Sequence, residues 1–186
     1  MEKNLILSRG FYYKYFSDSL YGDTNLSRFY MSDPHRGNKE YFNKYIDSLK
    51  KIWAQKDLLI VEGSHTRMGI GNDFFDDARS TRRILCPNKN AFSYYTQIKN
   101  TVMENASGLD LIICALGPTA TVLSADLNVE GYRALDLGHI DIEYEWWERA
   151  SRNNYRIPGK EFSEVPGQFQ EVDSMRPENV VAVIEE

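Results

Sequence analysis

Four short apolar runs, each cut off by a glycine or proline within a few residues, constrain this chain most. They are Leu58-Leu59-Ile60-Val61 before Glu62-Gly63, Arg83-Ile84-Leu85-Cys86 before Pro87-Asn88, Leu109 to Ala115 before Gly117-Pro118, and Tyr132 to Leu135 before Gly138. Runs this short with little polar interruption predict strands buried on both faces. Between and before them lie helical patterns. Phe42, Tyr45, Ile46, Leu49, Ile52 and Trp53 recur three or four apart over Lys39 to Gln55, and Phe92, Tyr95, Ile98, Val102 and Met103 give a second stripe. Phe74 to Ser80 and Thr119 to Leu127 are expected to be shorter helices, and Val180 to Ile184 a closing strand or a short helix. Strands alternating with helices at this spacing predict a parallel α/β sheet with crossover helices.

Right-handed crossovers place ligands outside the carboxyl ends of such strands. The informative short motifs fall there: Glu62-Gly63, Asn88-Lys89-Asn90, Gly117-Pro118-Thr119, and Asp136 through His139 to Glu143. Pro118 at a first helical position leaves free amides and a positive dipole end that suit an anion, although a plain strand-to-helix turn needs the same residues. Asp141 and Glu143 are two apart. In an extended segment their carboxylates converge and suit a hard cation, Mn²⁺ or Mg²⁺; the other reading is a loop of solvated acids. The loop from His65 to Asp73 carries Gly69, Gly71 and Asn72, and Arg67 can grip a phosphate; the other reading is a mobile surface connection, which is the commoner case. Glu62 either hydrogen-bonds a sugar hydroxyl or caps that loop. His139 is either a ligand or a structural hydrogen-bonder. Trp146 and Trp147 can stack on a base or a sugar face, but neighbours on a helix point apart, so at least one belongs to the core.

Composition narrows the field. A net charge of −5 argues against a general nucleic-acid binder. The two cysteines, Cys86 and Cys114, sit inside apolar runs and read as buried thiols of a reducing compartment. No basic-then-apolar leader and no stretch of membrane-spanning length is present, so a cytoplasmic protein is expected. The 186 residues suit one domain, with an irregular segment at 1–38, a core at 39–165 and an extension at 166–186. Neither a Walker loop nor a Gly-x-Ser-x-Gly elbow occurs.

Several blocks in order resemble the bacterial GT-D-fold glycosyltransferases. They are Leu58 to Gly63, Gly69 to Asp76, Arg83 to Phe92, Ala115 to Ala120, Asp136 to Trp146, and Ile157-Pro158-Gly159-Lys160. The resemblance implies a Rossmann-like parallel sheet with flanking helices that binds a UDP-sugar, with UDP-glucose the type case. It also implies an Asp-x-Glu motif, here Asp141 and Glu143, working with Mn²⁺, and transfer of the sugar to a glycan or glycoprotein acceptor. On that reading Asp136, Asp141 and Glu143 are catalytic. Glu62, Gly63, Arg67, Gly71, Asn72, Asn88, Lys89, Asn90, Gly117, Pro118, Thr119 and His139 line the nucleotide-sugar site. Arg28 is a further source of positive charge, and Asp73, Asp136 and Glu62 are candidate bases. Family members usually begin with an Arg-Phe-Gly-Asp-Gly-Glu type block that is not found here. Ser27 to Met31 resembles a later segment. That departure leaves a second expectation, a non-catalytic nucleotide-sugar module acting with a partner transferase or a second copy. A phosphohydrolase using the same acids is a third.

Overall fold

The computed structural model describes residues 25–163 and 165–185, so the aromatic cluster Phe11 to Phe16 and the turn beginning at Tyr21 lie outside the described residues. A short 3₁₀ turn at Asn25–Arg28 leads to helix α1, Lys39–Trp53. The Asn38 side chain accepts the Tyr41 amide proton and starts that helix. Phe42, Ile46, Leu49 and Trp53 form its buried face. The enclosed Trp53 donates its indole N–H to the Phe74 carbonyl at 2.9 Å, which satisfies the one polar atom that its burial would strand.

Strands β1 (Asp57–Gly63), β2 (Ser80–Cys86), β3 (Leu111–Ala115), β4 (Ala134–Asp136) and β5 (Val180–Val183) form a parallel sheet in the order β4-β3-β1-β2-β5. Helices α2 (Tyr95–Asn105) and α3 (Pro118–Val129) pack on one face, against Leu59 and Val61. Helix α1, the loop after β1 and helix α4 (Ile140–Glu148) pack on the other, against Leu58 and Ile60. The period-two alternation of strand side chains divides β1 between the two layers. The chain steps from β1 to β2 in one direction over the face that carries α1 and α4, then from β2 through β3 to β4 in the other direction over the face that carries α2 and α3. Reversing direction and face together keeps one crossover hand, and it puts the carboxyl ends of β1 to β4 on one rim.

The apolar runs lie where the strands do. Two local expectations change. Residues 74–79 form turns and bends, not a helix, and Ser80 already opens β2, because Phe74 and Phe75 turn inward to pack on Trp53 with ring centroids at 4.8 and 5.1 Å. Of the two readings of residues 180–184 the strand is the one realised, with Val180–Val183 beside β2, so the sheet draws on the C-terminal extension as well as on residues 39–165. The second change bears on the site: residues 140–148 are helical, not extended.

Candidate functional site

Residues Ile140 to Trp146 are all buried, Asp141, Glu143 and Glu145 included, so α4 sits inside the protein with three carboxylates. Buried charges persist only when partnered. On a helix, residues two apart diverge and residues four apart share a face. Asp141 and Glu145 therefore meet at one ammonium: Lys160 Nζ lies 2.7 Å from Asp141 Oδ2 and 2.9 Å from Glu145 Oε1. Burial alone would push Lys160 down, but the charges of Asp141 and Glu145 outweigh it and hold the lysine above its ordinary value. The Gly69 amide donates to Asp141 Oδ2 at 3.1 Å, and Asn72 Nδ2 donates to Glu145 Oε1 at 3.0 Å. Asp141 Oδ1 is buried with no hydrogen-bond partner among the described residues.

Glu143 turns elsewhere. Its Oε2 accepts the backbone amides of Tyr30 at 3.0 Å and Met31 at 2.7 Å, which fastens the segment after the first 3₁₀ turn to α4. This corrects the extended, convergent geometry expected of Asp141 and Glu143. A divalent ion clamped between those two carboxylates does not fit the arrangement. The point where two carboxylates do converge already carries the Lys160 cation.

Glu62, at the end of β1, is fully enclosed. One oxygen pairs with Arg83 on β2, and the other accepts the Met68 amide at 2.6 Å. Arg83 also donates to the Met68 carbonyl at 2.9 Å. Of the two readings of Glu62, loop capping is the one realised. Burial pushes its carboxyl up, and Arg83 partly offsets this. The capped loop carries Gly69 with φ +71°, where a Cβ would lie 2.3 Å from Phe75 Cδ2.

The remaining expected residues spread along the rim. A Cβ on Gly63 would meet Asn88 Oδ1 at 2.8 Å, and Asn88 accepts the His65 amide at 2.9 Å, so the loops after β1 and β2 touch. Lys89 and Asn90 are exposed, and Asn90 is left-handed at φ +52°. Gly71 is covered by Met175, whose Cε would lie 3.0 Å from an added Cβ. Gly117 (φ +53°) precedes Pro118 at the start of α3, and Thr119 is buried there. Asp136, exposed at the end of β4, accepts the Thr121 hydroxyl at 2.6 Å and the Gly138 amide at 3.1 Å. That bond ties the β4 rim to α3. His139 is half-buried beside Phe162. Trp146 is core, and Trp147 is partly exposed. Asp73 pairs with Lys50 at 3.0 Å and accepts the Tyr144 hydroxyl; that hydroxyl chiefly holds its carboxyl below the usual value. Burial pushes the Cys86 thiol up to about 12 and raises Cys114 as well, so both are inert at neutral pH.

The pattern reading missed Lys160, Glu145 and Arg83. Helical spacing from Asp141 to Glu145 was a usable signal, as was the Pro158-Gly159 turn that delivers Lys160.

A two-faced parallel sheet with ion-paired charges buried at its carboxyl rim defines a Rossmann-like α/β protein. The chain belongs to the glycosyltransferase GT-D fold family, whose profile matches residues 1–165. A solved structure described as a domain of unknown function with a distinct glycosyltransferase fold superposes with a TM-score of 0.85 at 40% identity, covering 99% of this chain and 66% of that one. A new glycosyltransferase from Streptococcus sanguinis superposes with a TM-score of 0.80 at 39% identity, covering 99% and 70%. Among curated proteins, a probable glycosyl transferase of Streptococcus gordonii is 48% identical over 145 residues, 77% of this chain and 20% of that protein. Glycosyltransferase GlyD of Streptococcus pneumoniae serotype 4 is 44% identical over 154 residues, 83% of this chain and 18% of that protein. The chain thus spans about a fifth of the length of these curated relatives. No helix among the described residues is long and apolar enough to cross a membrane.

Proposed function

We propose that this chain binds a nucleotide-sugar, UDP-glucose on the family reading, at the carboxyl rim of its sheet and passes the sugar to a glycan acceptor of a surface glycoprotein or polysaccharide. One observation carries the proposal. A buried, ion-paired carboxylate at that rim, Asp141, keeps one oxygen without a partner among the described residues. An unsatisfied buried acceptor costs about 1–3 kcal/mol, and a donor hydroxyl group relieves that cost.

In the proposed reaction Asp141 Oδ1 accepts a hydroxyl of the donor sugar, and the Lys160 ammonium, bound to Asp141 Oδ2, holds the carboxylate in place. Asp136 is an exposed carboxylate at the end of β4, and it takes the proton of the acceptor hydroxyl. Glu62 is fully enclosed and ion-paired with Arg83, and Asp73 is held low by the Tyr144 hydroxyl, so neither suits that task. As the acceptor oxygen bonds to the anomeric carbon, the bond from that carbon to the phosphate oxygen breaks and UDP leaves. The amides opening α3 and the Arg67 guanidinium stabilise its charge. No step passes through a cation on Asp141 and Glu143.

The test is UDP release from UDP-glucose by the purified chain, with water or a glycopeptide as acceptor and with EDTA as a control. Asp136→Asn and Asp141→Asn are each expected to lower turnover by about 100-fold or more. Calorimetric binding of UDP with no turnover for any acceptor would make the chain a binding module. Phosphate release from simple esters without any response to UDP would refute the transferase reading.

A further inference from the structure

Beyond the acids of α4, the rim holds a second built feature, on His65 and Arg67. Arg67 is only 4% exposed, takes a left-handed backbone (φ +53°), and has Nε and one terminal nitrogen buried with no hydrogen-bond partner among the described residues. A non-glycine residue in that conformation costs about 1–3 kcal/mol, and such strain gathers at ligand clamps. The contacts Arg67 does make come from a chain segment about a hundred residues away. Its guanidinium lies over the Phe169 ring at 5.1 Å, and its remaining terminal nitrogen pairs with Glu171. The same Phe169 ring lies flat on the imidazole of His65, with centroids 3.8 Å apart and planes 1° from parallel.

Residues 168–171 form neither helix nor strand. They are fastened at their two ends. Arg156 donates to the Val165 and Gly167 carbonyls at 2.9 and 3.2 Å, and Met175 packs on Gly71 and Gly159. Between those anchors the strap offers a planar ring to an imidazole face and, two residues on, an anion to a buried guanidinium. A base joined through a sugar to a phosphate presents the same two groups in the same order.

We infer that His65 and Arg67 form a subsite for a nucleoside phosphate, with the base stacked on His65 and a phosphate on Arg67, and that Phe169 and Glu171 occupy it in the free protein as a built-in competitor. The inference rests on the donor reading above and adds where the base and phosphate sit and what regulates their entry. Nucleotide binding lifts the strap. The energy holding the strap down is subtracted from the nucleotide's apparent affinity.

Two measurements test this, with UDP and uridine as probes. In calorimetry, Phe169→Ala/Glu171→Gln should bind UDP about 3- to 10-fold more tightly than the unmodified chain, the range expected from removing one aromatic stack. Arg67→Gln should weaken UDP but leave uridine unchanged. In NMR the chain has three histidines. The His65 ring protons should carry a ring-current shift that Phe169→Leu abolishes, and UDP should perturb His65 in preference to His35. UDP binding that is equal in both forms and leaves the His65 signals unmoved overturns the subsite while the donor reading stands. Binding by the unmodified chain that the double variant loses overturns the subsite alone, and failure of both forms to bind UDP overturns both readings.

Discussion

Replacing Lys160 by methionine keeps the length and bulk of the side chain and removes only the charge. The ammonium is fully enclosed and lies 2.7 and 2.9 Å from two carboxylates that are themselves at most 2% exposed. Without it, Asp141 keeps one hydrogen bond among the described residues, from the Gly69 amide, and Glu145 keeps Asn72 and Arg149. Removing one partner of a buried ion pair typically costs about 3–5 kcal/mol, because the stranded charge keeps its desolvation penalty. For a chain of this size each kcal/mol moves the melting temperature by about 2–4 °C, so a fall of roughly 6–20 °C is expected. Urea unfolding followed by circular dichroism gives the free energy directly. The double variant Lys160→Met/Asp141→Asn should recover about 1–2 kcal/mol, since it also removes one stranded charge. The pH dependence has a fixed sign. Lys160 is held above its ordinary value of 10.5, so the stability it adds is complete below pH 10.5 and is lost as pH rises through the higher folded value. The gap between the unmodified chain and Lys160→Met should therefore narrow only above that pH. A Lys160→Met cost under about 1 kcal/mol at neutral pH, with no recovery in the double variant, would refute the view that this lysine neutralises the acids of α4.

Gly69→Ala places a Cβ 2.3 Å from Phe75 at φ +71°, and we expect about 2–4 kcal/mol of destabilisation by urea unfolding; a loss below about 0.5 kcal/mol would mean the loop relaxes freely. Tyr144→Phe removes the main cause of the lowered Asp73 carboxyl. The stability from that bond is present above the unfolded value of 3.8 and is lost as pH falls through the folded one. Because Asp73 is 55% exposed, the expected cost is only about 0.5–1 kcal/mol at pH 7; an equal cost at pH 3 would disprove the assignment. Glu143→Gln should loosen the segment it tethers, with amide exchange of Tyr30 and Met31 faster by about 10-fold, while any effect of Mn²⁺ on UDP affinity is unchanged. Loss of a Mn²⁺ effect in that variant, with exchange unaltered, would restore the cation-clamp reading.

The strands were legible because their cause is local. Val61 or Ile113 lies in a run with little or no polar face, and glycine or proline soon follows it, so neither helix nor loop suits it. Helix α1 was legible for the same kind of reason, an apolar stripe from Phe42 to Trp53 at helical spacing. The rim followed from the alternation of these elements. Helix α4 was not legible: Ile140 to Trp146 are buried all round, so no amphipathic stripe marks a helix, and the alternating acids mimic a strand. Which acids share a partner depended on that one change of period, because a helix turns Glu143 away from Asp141 and brings Glu145 beside it. The partners themselves come from far along the chain: Lys160 reaches Asp141 across 19 residues, and Glu171 reaches Arg67 across 104. Local preferences set the strands and the stripe of α1. The charges at the rim found their counter-charges only because the crossovers carried distant loops to the same edge of the sheet, where a buried ion without a partner would have cost too much to keep.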